Sequence, residues 1–411
     1  MEKHTMRDYV LQTPAVLRRL LTEHWEAPLA AAFAARPVRI LRLVASGSSY
    51  NAALCVRPYL RKWLSCEVLI TEPFTFCTYE CQQPEDELAV VISQSGYSTN
   101  ALQALDAIHA KGRTAIGITS DPASDLRLHA DLLIDYGCGP ESVGYVTMGV
   151  TSLGLFLCLF ALQAAYAAGR LSGGALAAER EKLFRLADAY EQAIPAGETL
   201  LRARYKQLSS MQTVCLVGAG VSYGVAREAA LKLMETLQIP ACAYELEEFL
   251  HGPNLHLTPN HTLFFLAADP RDRERGAQLY RAASLVTDRV FLFTDDTSPG
   301  GDLSVSGTVD ALLAPLTFLP FFQLAAYHLT EELHLWHKHP LVAAFESAVS
   351  GKSPIMFRGK HSEVLPSCFG AYTPLRTRIE PASFAGETYI SRSSGIAPPA
   401  TAHRYRLATL Q

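Results

Sequence analysis

Glu228, Lys232 and Glu235 fall at spacings of four, three and seven residues, which stacks them on one face of a helix. Such a face is either a solvated row of ion pairs or a set of groups with acid–base work to do. Leu231, Leu233 and Met234 crowd the three charges, and the chain runs on through Glu245, Glu247 and Glu248 to His251-Gly-Pro253, a histidine on a turn. Two serine-rich turns earlier in the chain suit a different task. Ser46-Gly-Ser-Ser49 and Ser93-Gln-Ser-Gly-Tyr-Ser98 each follow an apolar run and precede a helical pattern. The start of a helix presents free backbone N–H groups and the positive end of its dipole, so it binds an anion without needing Arg or Lys. Gly47 lets the backbone come close. The hydroxyls of Ser48, Ser49, Ser93, Ser95 and Ser98 and the amide of Gln94 add donors. One such turn commonly does no more than cap its helix; two in the same half, both after buried strands, make a stronger case for a phosphate grip.

A parallel α/β framework would bring these groups together. Short apolar runs at 40–45, 68–71, 88–92, 114–118 and 131–134 read as strands, with helices at 50–63 and 99–111. That alternation indicates a parallel sheet covered on both faces, a three-layer αβα arrangement. Both serine turns then lie at the carboxyl ends of strands, where ligands collect in open sheets. An apolar helix from Val150 and a charged helical stretch at 177–191 follow, and Gly169 to Gly174 marks a break. The pattern then restarts, with strands at 213–217, 241–244, 263–267 and 290–293 and a helix at 223–237. Leu43-Val-Ala-Ser-Gly-Ser-Ser-Tyr-Asn-Ala-Ala53 lies over Leu216-Val-Gly-Ala-Gly-Val-Ser-Tyr-Gly-Val-Ala226 with six of eleven positions alike. This is the mark of an internal duplication; the alternative is two unrelated strand–turn–helix units that both need Gly in the turn. Gly218 to Gly224 spells G-x-G-x-x-x-G, one residue longer than a dinucleotide fingerprint, and no acidic residue ends the next strand at the usual distance. A second copy of the phosphate turn is the more economical reading. The expected organisation is a helical arm over 1–35, a first α/β domain over 36–170, a connecting helix over 171–206, a second α/β domain over 207–350 and an irregular tail over 351–411. In the arm, Thr13-Pro14 reads as a helix start.

The bulk properties fit two well-packed domains. Of 411 residues, 49% are hydrophobic and 18% charged, and the formal net charge of −4 leaves no basic footprint for nucleic acid. The nine cysteines are scattered, odd in number and without zinc spacing, as in a cytoplasmic protein with reduced thiols, and no metal is expected. The N-terminus has no apolar signal core. The stretch at 150–168 approaches the length of a membrane span, but Thr, Ser, Gly and Gln interrupt it, so it reads as a buried helix and no membrane partner is expected.

Four motifs carry a family resemblance. Ala-Ser-Gly-Ser-Ser-Tyr at 45–50, Ile-Ser-Gln-Ser-Gly at 92–96, Glu-Ala-Ala-Leu-Lys-Leu-Met-Glu at 228–235 and Glu-Phe-Leu-His-Gly-Pro at 248–253 resemble the sugar-isomerase (SIS) domain family. The arrangement is most similar to the isomerase part of glucosamine-6-phosphate synthase and to deglycases of phosphorylated Amadori compounds. It covers roughly residues 6 to 350. The resemblance implies two tandem flavodoxin-like SIS domains acting on a phosphorylated sugar without a cofactor. It implies that Gly47, Ser48, Ser49, Ser93, Gln94, Ser95 and Ser98 hold the phosphate and sugar hydroxyls, joined by Thr147 and Glu228. Glu235 would be the base that moves a proton between C1 and C2. His251 would assist ring opening from a neighbouring subunit, which implies a homodimer with the site near its interface. Lys232 would join the catalytic set from behind.

Departures from the synthase shape the expected activity. No glutaminase domain and no Cys at position two are present, so glutamine-derived ammonia is not expected. The synthase ends on a short tail with a catalytic lysine; the last lysine here is Lys360, and no Schiff-base step of that kind is expected. Glu141 to Gly149, with Thr147, looks more like the deglycases. The expectation is a deglycase that releases an amine or amino acid from a 6-phosphorylated sugar adduct, with an amino-sugar phosphate isomerase or deaminase close behind. A non-catalytic sugar-phosphate sensor would have no use for Glu235 and His251 together.

Overall fold

Two five-stranded parallel sheets, built in the same order, form the frame that the alternating pattern requires. The computed structural model describes residues 4–295, 300–305, 309–337, 339–349 and 351–353, all within one compact unit. The arm consists of helices α1 (Met6–Leu20) and α2 (Ala27–Ala34). The first half contains β1 (Ile40–Ala45), α3 (Gly47–Leu64), β2 (Glu67–Thr71), the single turn α4 (Pro73–Thr75), β3 (Glu87–Ile92), α5 (Thr99–Ala110), β4 (Ile116–Thr119) and β5 (Leu132–Asp135). Then come α6 (Met148–Ala167), α7 (Gly173–Ala203) and the short α8 (Tyr205–Leu208). The second half contains β6 (Thr213–Gly218), α9 (Gly220–Thr236), β7 (Ala241–Glu245), β8 (His261–Ala267), α10 (Arg273–Ala283), β9 (Val290–Asp295) and β10 (Leu303–Val305). Helices α11 (Leu319–Glu332) and α12 (Pro340–Ala348) follow.

The sheet orders are β2-β1-β3-β4-β5 and β10-β9-β8-β6-β7, which is the flavodoxin-like order 2-1-3-4-5 written twice. Two halves with one topology fit the duplication read from the sequence. In each half the chain reverses direction across the sheet between the first and third strands, and a crevice opens there. Strands β3, β8 and β9 are buried at every position, as expected for sheets covered on both faces. The fifth strand of the second half, β10, had no sequence signal strong enough to find it.

The helix start expected at Thr13-Pro14 is a correction: α1 begins at Met6. Thr5 and Asp8 close a reciprocal capping box there, and Pro14 sits within the helix. Pro14 offers no N–H to the preceding turn. The Thr13 hydroxyl instead donates to the Tyr9 carbonyl at 2.8 Å, and burial of Val10, Leu17 and Leu20 holds the segment in place. Helix α3 also starts earlier than expected, so Gly47, Ser48 and Ser49 form its first turn, with Ser46 as the cap.

α6 is long and apolar enough to span a membrane, yet it is buried along nearly its whole length. It packs against α1, α2, α3 and α7 as the central core helix. One continuous apolar cluster runs from Leu41 and Leu43 in the first sheet to Phe264 and Phe293 in the second.

The contact that matters most for function is α3 against α9. Gly224 makes it close: a Cβ there would lie 2.7 Å from the backbone nitrogen of Cys55 on α3. We predict that Gly224→Ala spreads these helices and destabilises the fold by about 1–3 kcal/mol, read as a lower urea midpoint with unchanged slope.

Candidate active site

A cavity of ≈ 630 Å³ opens at the carboxyl end of the first sheet, between β1 and β3. Both serine turns line it. Gly47 adopts φ +56, a left-handed value that lets the chain turn directly from β1 into α3. Ser48 and Ser49 follow on the first turn of α3, both 7% exposed. Ser93, Gln94 and Ser95 form the second wall, and Ser98 caps α5 with its side chain not spent on the cap. Gly96, at φ +68, closes this turn with its N–H on the Ser93 carbonyl. Two helix starts therefore converge on one space with serine hydroxyls around it, an anion-binding arrangement.

Glu235 lines the same cavity from α9. Behind it runs a buried chain of polar contacts. Lys232 Nζ lies 2.5 Å from Glu235 Oε2 and 3.5 Å from Glu228 Oε1. Glu228 accepts hydrogen bonds from Ser48 Oγ and Asn51 Nδ2, both at 2.9 Å. Side-chain exposures of 0% for Glu228 and 1% for Lys232 rule out the solvated row of ion pairs. Burial pushes the Glu228 carboxyl up, and Lys232, Asn51 and Ser48 only partly offset it. Burial alone would push the Lys232 ammonium down, but Glu228 and Glu235 outweigh that and hold it above its usual range. Lys232 is thus a permanent cation wedged between two carboxylates.

Lys232 and Glu228, expected to act from behind the site, do not line the cavity; they contact Glu235 and Ser48 from inside. Thr147 does not line it either. It is fully buried at the start of α6, with its hydroxyl donating to the Tyr145 carbonyl at 3.0 Å. The ligand-facing residue of that segment is Glu141. Its carboxylate accepts the N–H groups of Thr147, Met148 and Gly149 and the side-chain amide of Gln94 at 2.6 Å. Burial pushes the Glu141 carboxyl up, and these donors pull part of the shift back. A carboxylate just ahead of an apolar helix was the signal that could have found it.

His251 stands apart. It is exposed on the turn after a short 3₁₀ segment, Glu248–Leu250, and does not line this chain's own cavity.

Lys352 belongs to the stretch expected as an irregular tail, and it reaches the cavity. Its Nζ lies 3.1 Å from Ser95 Oγ and 3.5 Å from Ser98 Oγ, inside the cavity. Lys352 therefore belongs to the first half's site, although it was assigned to an irregular tail; residues 354–411 lie outside the described residues. It was missed because nothing periodic surrounds it. Among the described lining residues it is the single cation, facing the carboxylates of Asp121, Glu141 and Glu235.

The second half's equivalent crevice, between β6 and β8, is chemically different. Its loop after β8 carries Asp269, Arg271, Asp272 and Arg273 in place of serines, and Arg273 pairs with Asp295. Burial and then Asp269 push the Asp272 carboxyl up to about 7. Both arginines there are already paired, Arg271 with Asp269 and Arg273 with Asp295. One point on the dinucleotide question also changes. β7 does end on an acid, Glu245, but its carboxylate is occupied by the N–H groups of Glu247 and Glu248. Among the described residues, no three His, Cys, Asp or Glu side chains gather as metal ligands would.

Paired flavodoxin-like sheets with serine turns at one switch point define a class. Residues 37–164 and 207–296, more than half of the chain, match the SIS domain, and the chain belongs to that family. Its curated relatives include the isomerizing glutamine–fructose-6-phosphate aminotransferase of Aeropyrum pernix, 28% identical over 328 residues, which are 78% of this chain and 51% of that protein. The chain thus spans about half the length of the curated relatives it matches first. Among solved structures, a protein provisionally named as a phosphosugar isomerase from Clostridium difficile 630 superposes with a TM-score of 0.76 at 24% identity, covering 85% of this chain and 99% of the other. The C-terminal domain of glucosamine-fructose-6-phosphate aminotransferase from Francisella tularensis gives 0.73 at 21% identity, covering 82% and 99%.

Two predictions follow from the electrostatics. Lys232→Met leaves two carboxylates without their cation and costs about 3–5 kcal/mol by denaturant titration. Adding Glu228→Gln and Glu235→Gln to that variant recovers most of the loss. Asp272 titrates higher in the folded chain than unfolded, so its contribution is full below about pH 4 and is lost as pH rises through 7. Asp272→Asn removes that loss: thermal midpoints at pH 8 exceed wild type, and the gap closes towards pH 4.

Proposed function

We propose that this chain moves a proton between C1 and C2 of a 6-phosphorylated sugar that carries nitrogen, and acts as a deglycase. The observation that carries this reading is the lining of one cavity, which joins two serine turns and the Lys352 ammonium with the Glu235 carboxylate. The phosphate sits against Ser93, Ser95, Ser98 and Lys352, and its charge is matched there. Glu235 already has the Lys232 ammonium at 2.5 Å, and the other lining carboxylates, Asp121 and Glu141, suit a substrate that brings its own positive charge, as a protonated sugar-amine does. A volume of ≈ 630 Å³ also leaves space beyond a bare hexose phosphate.

In this mechanism Glu235 takes a proton from C1 of the open-chain ketosamine, giving an enaminol. Return of a proton to C2 leaves an imine at C1. Water adds to the imine, and the products are an aldose 6-phosphate and the free amine. Lys232 holds the Glu235 carboxylate in place through the 2.5 Å contact and steadies its charge between proton transfers. Ser48 links the same chain of contacts to the sugar-binding turn. His251 of the partner subunit opens the sugar ring in this reading. A groove of ≈ 260 Å³ between α3 and α9 supports a second copy docking nearby, since it shares Gly47 and Leu231 with the cavity.

An amino-sugar phosphate isomerase or deaminase is the second reading. Lys352 favours it, because a tail lysine in the site is what the resemblance gives to the synthase. Incubation with 6-phosphorylated ketosamines and with amino-sugar phosphates separates the two. Release of an amino acid from the first panel supports the deglycase; turnover confined to the second supports the isomerase. We predict that Glu235→Gln lowers kcat on the active panel by about 10²-fold or more while substrate binding persists, and near-normal turnover would remove Glu235 from the mechanism.

A further inference from the structure

The three residues that carry Lys352 are held more firmly than a loose tail requires. Lys352 pairs with Ser98 as an antiparallel bridge. The Gly351 carbonyl accepts the Thr99 N–H at 3.1 Å, and the Ser353 N–H donates to the Tyr97 carbonyl at 2.9 Å. The strap therefore takes up a backbone donor at the first residue of α5, which could otherwise have faced an anion, and delivers an ammonium in its place. Ser353 is 5% exposed, and its hydroxyl donates to Asp125 Oδ2 at 2.5 Å. Asp125 is itself buried, 7% exposed, at the start of the 3₁₀ turn Asp125–Leu128, and the next N–H, that of Leu126, donates to the Gly96 carbonyl. One short turn thus grips both the serine loop, through Gly96, and the strap, through Ser353.

We infer that the Ser353–Asp125 hydrogen bond is a positioning device that fixes the Lys352 ammonium at the phosphate end of the cavity. The inference rests on the phosphate reading given above. Neither residue lines the cavity, so neither touches substrate; they act through Lys352. A lysine side chain on a mobile segment would spread its charge over many positions, and a hydrogen bond to a buried carboxylate is among the stronger anchors available to a hydroxyl. The anchor fixes the residue next to Lys352, so the remaining freedom is that of the lysine side chain alone.

The test measures binding of inorganic phosphate and of the 6-phosphorylated substrate by calorimetry, and KM and kcat on the active panel, in full-length protein. The variants are Lys352→Ala, Ser353→Ala, Ser353→Thr, Asp125→Ala and Asp125→Asn. Ser353→Ala and Asp125→Ala are expected to weaken phosphate binding and raise KM about tenfold, approaching the effect of Lys352→Ala. The dephosphorylated substrate should bind all variants alike, which a general loss of structure would not allow. Ser353→Thr and Asp125→Asn, which keep a donor and an acceptor, should recover much of the affinity, and circular dichroism should show every variant folded. If Lys352→Ala weakens phosphate binding and Ser353→Ala does not, the positioning role is overturned and the phosphate reading stands. If Lys352→Ala itself leaves phosphate binding unchanged, the phosphate reading of Lys352 fails and the positioning role falls with it.

Discussion

Everything at the cavity depends on one buried ammonium. Lys232 lies between Glu228 and Glu235 where two helices from different halves cross, and its ammonium offsets part of the cost of burying the Glu228 carboxyl. Glu228 in turn fixes Ser48 and Asn51 on α3, so the lysine ties the turn that begins α3 to the carboxylate that faces the substrate space. The two halves are joined by apolar packing over a wide area. Their register at the cavity, however, is set by this short polar chain and by the bare backbone of Gly224.

The duplication supplied two crevices, and their chemistry has diverged. In the first half, small hydroxylated side chains line the crevice at the starts of α3 and α5. In the second, acidic side chains occupy the corresponding loop, and the contribution to the cavity comes instead from the flank of α9. A repeated fold has in this way become a single cavity with unequal partners: the first half supplies most of its wall, and α9 of the second adds Leu231 and Glu235. A duplicated chain need not keep two copies of a function when one copy can be spent as a scaffold for the other.

Much of this was legible in the sequence because the signals were local. The strand–helix alternation, the serine turns at 46–49 and 93–98 and the Glu–Lys–Glu face on α9 all depend on residues within one or two turns of each other. Boundaries were less secure. A capping box at Thr5 and Asp8, together with the packing of Val10 and Leu17, overrode the Thr13-Pro14 start, which is a tertiary effect that spacing does not display. Thr147 and Glu141 share one motif, and Glu141 is held at the cavity by Gln94, from the turn after β3, and by the N–H groups that start α6. Lys352 was out of reach, since 257 positions separate it from Ser95 and no periodicity announces it.

The strap has a consequence for how the protein is made. Once α5 has been synthesised, both serine turns exist and the first sheet has most of its strands. The cup nevertheless lacks its cation until some 250 further residues have been added. Glu235 arrives earlier, with α9. Domains that emerge first fold first during translation, so Lys352 joins the cavity only after the strands of both halves have been made.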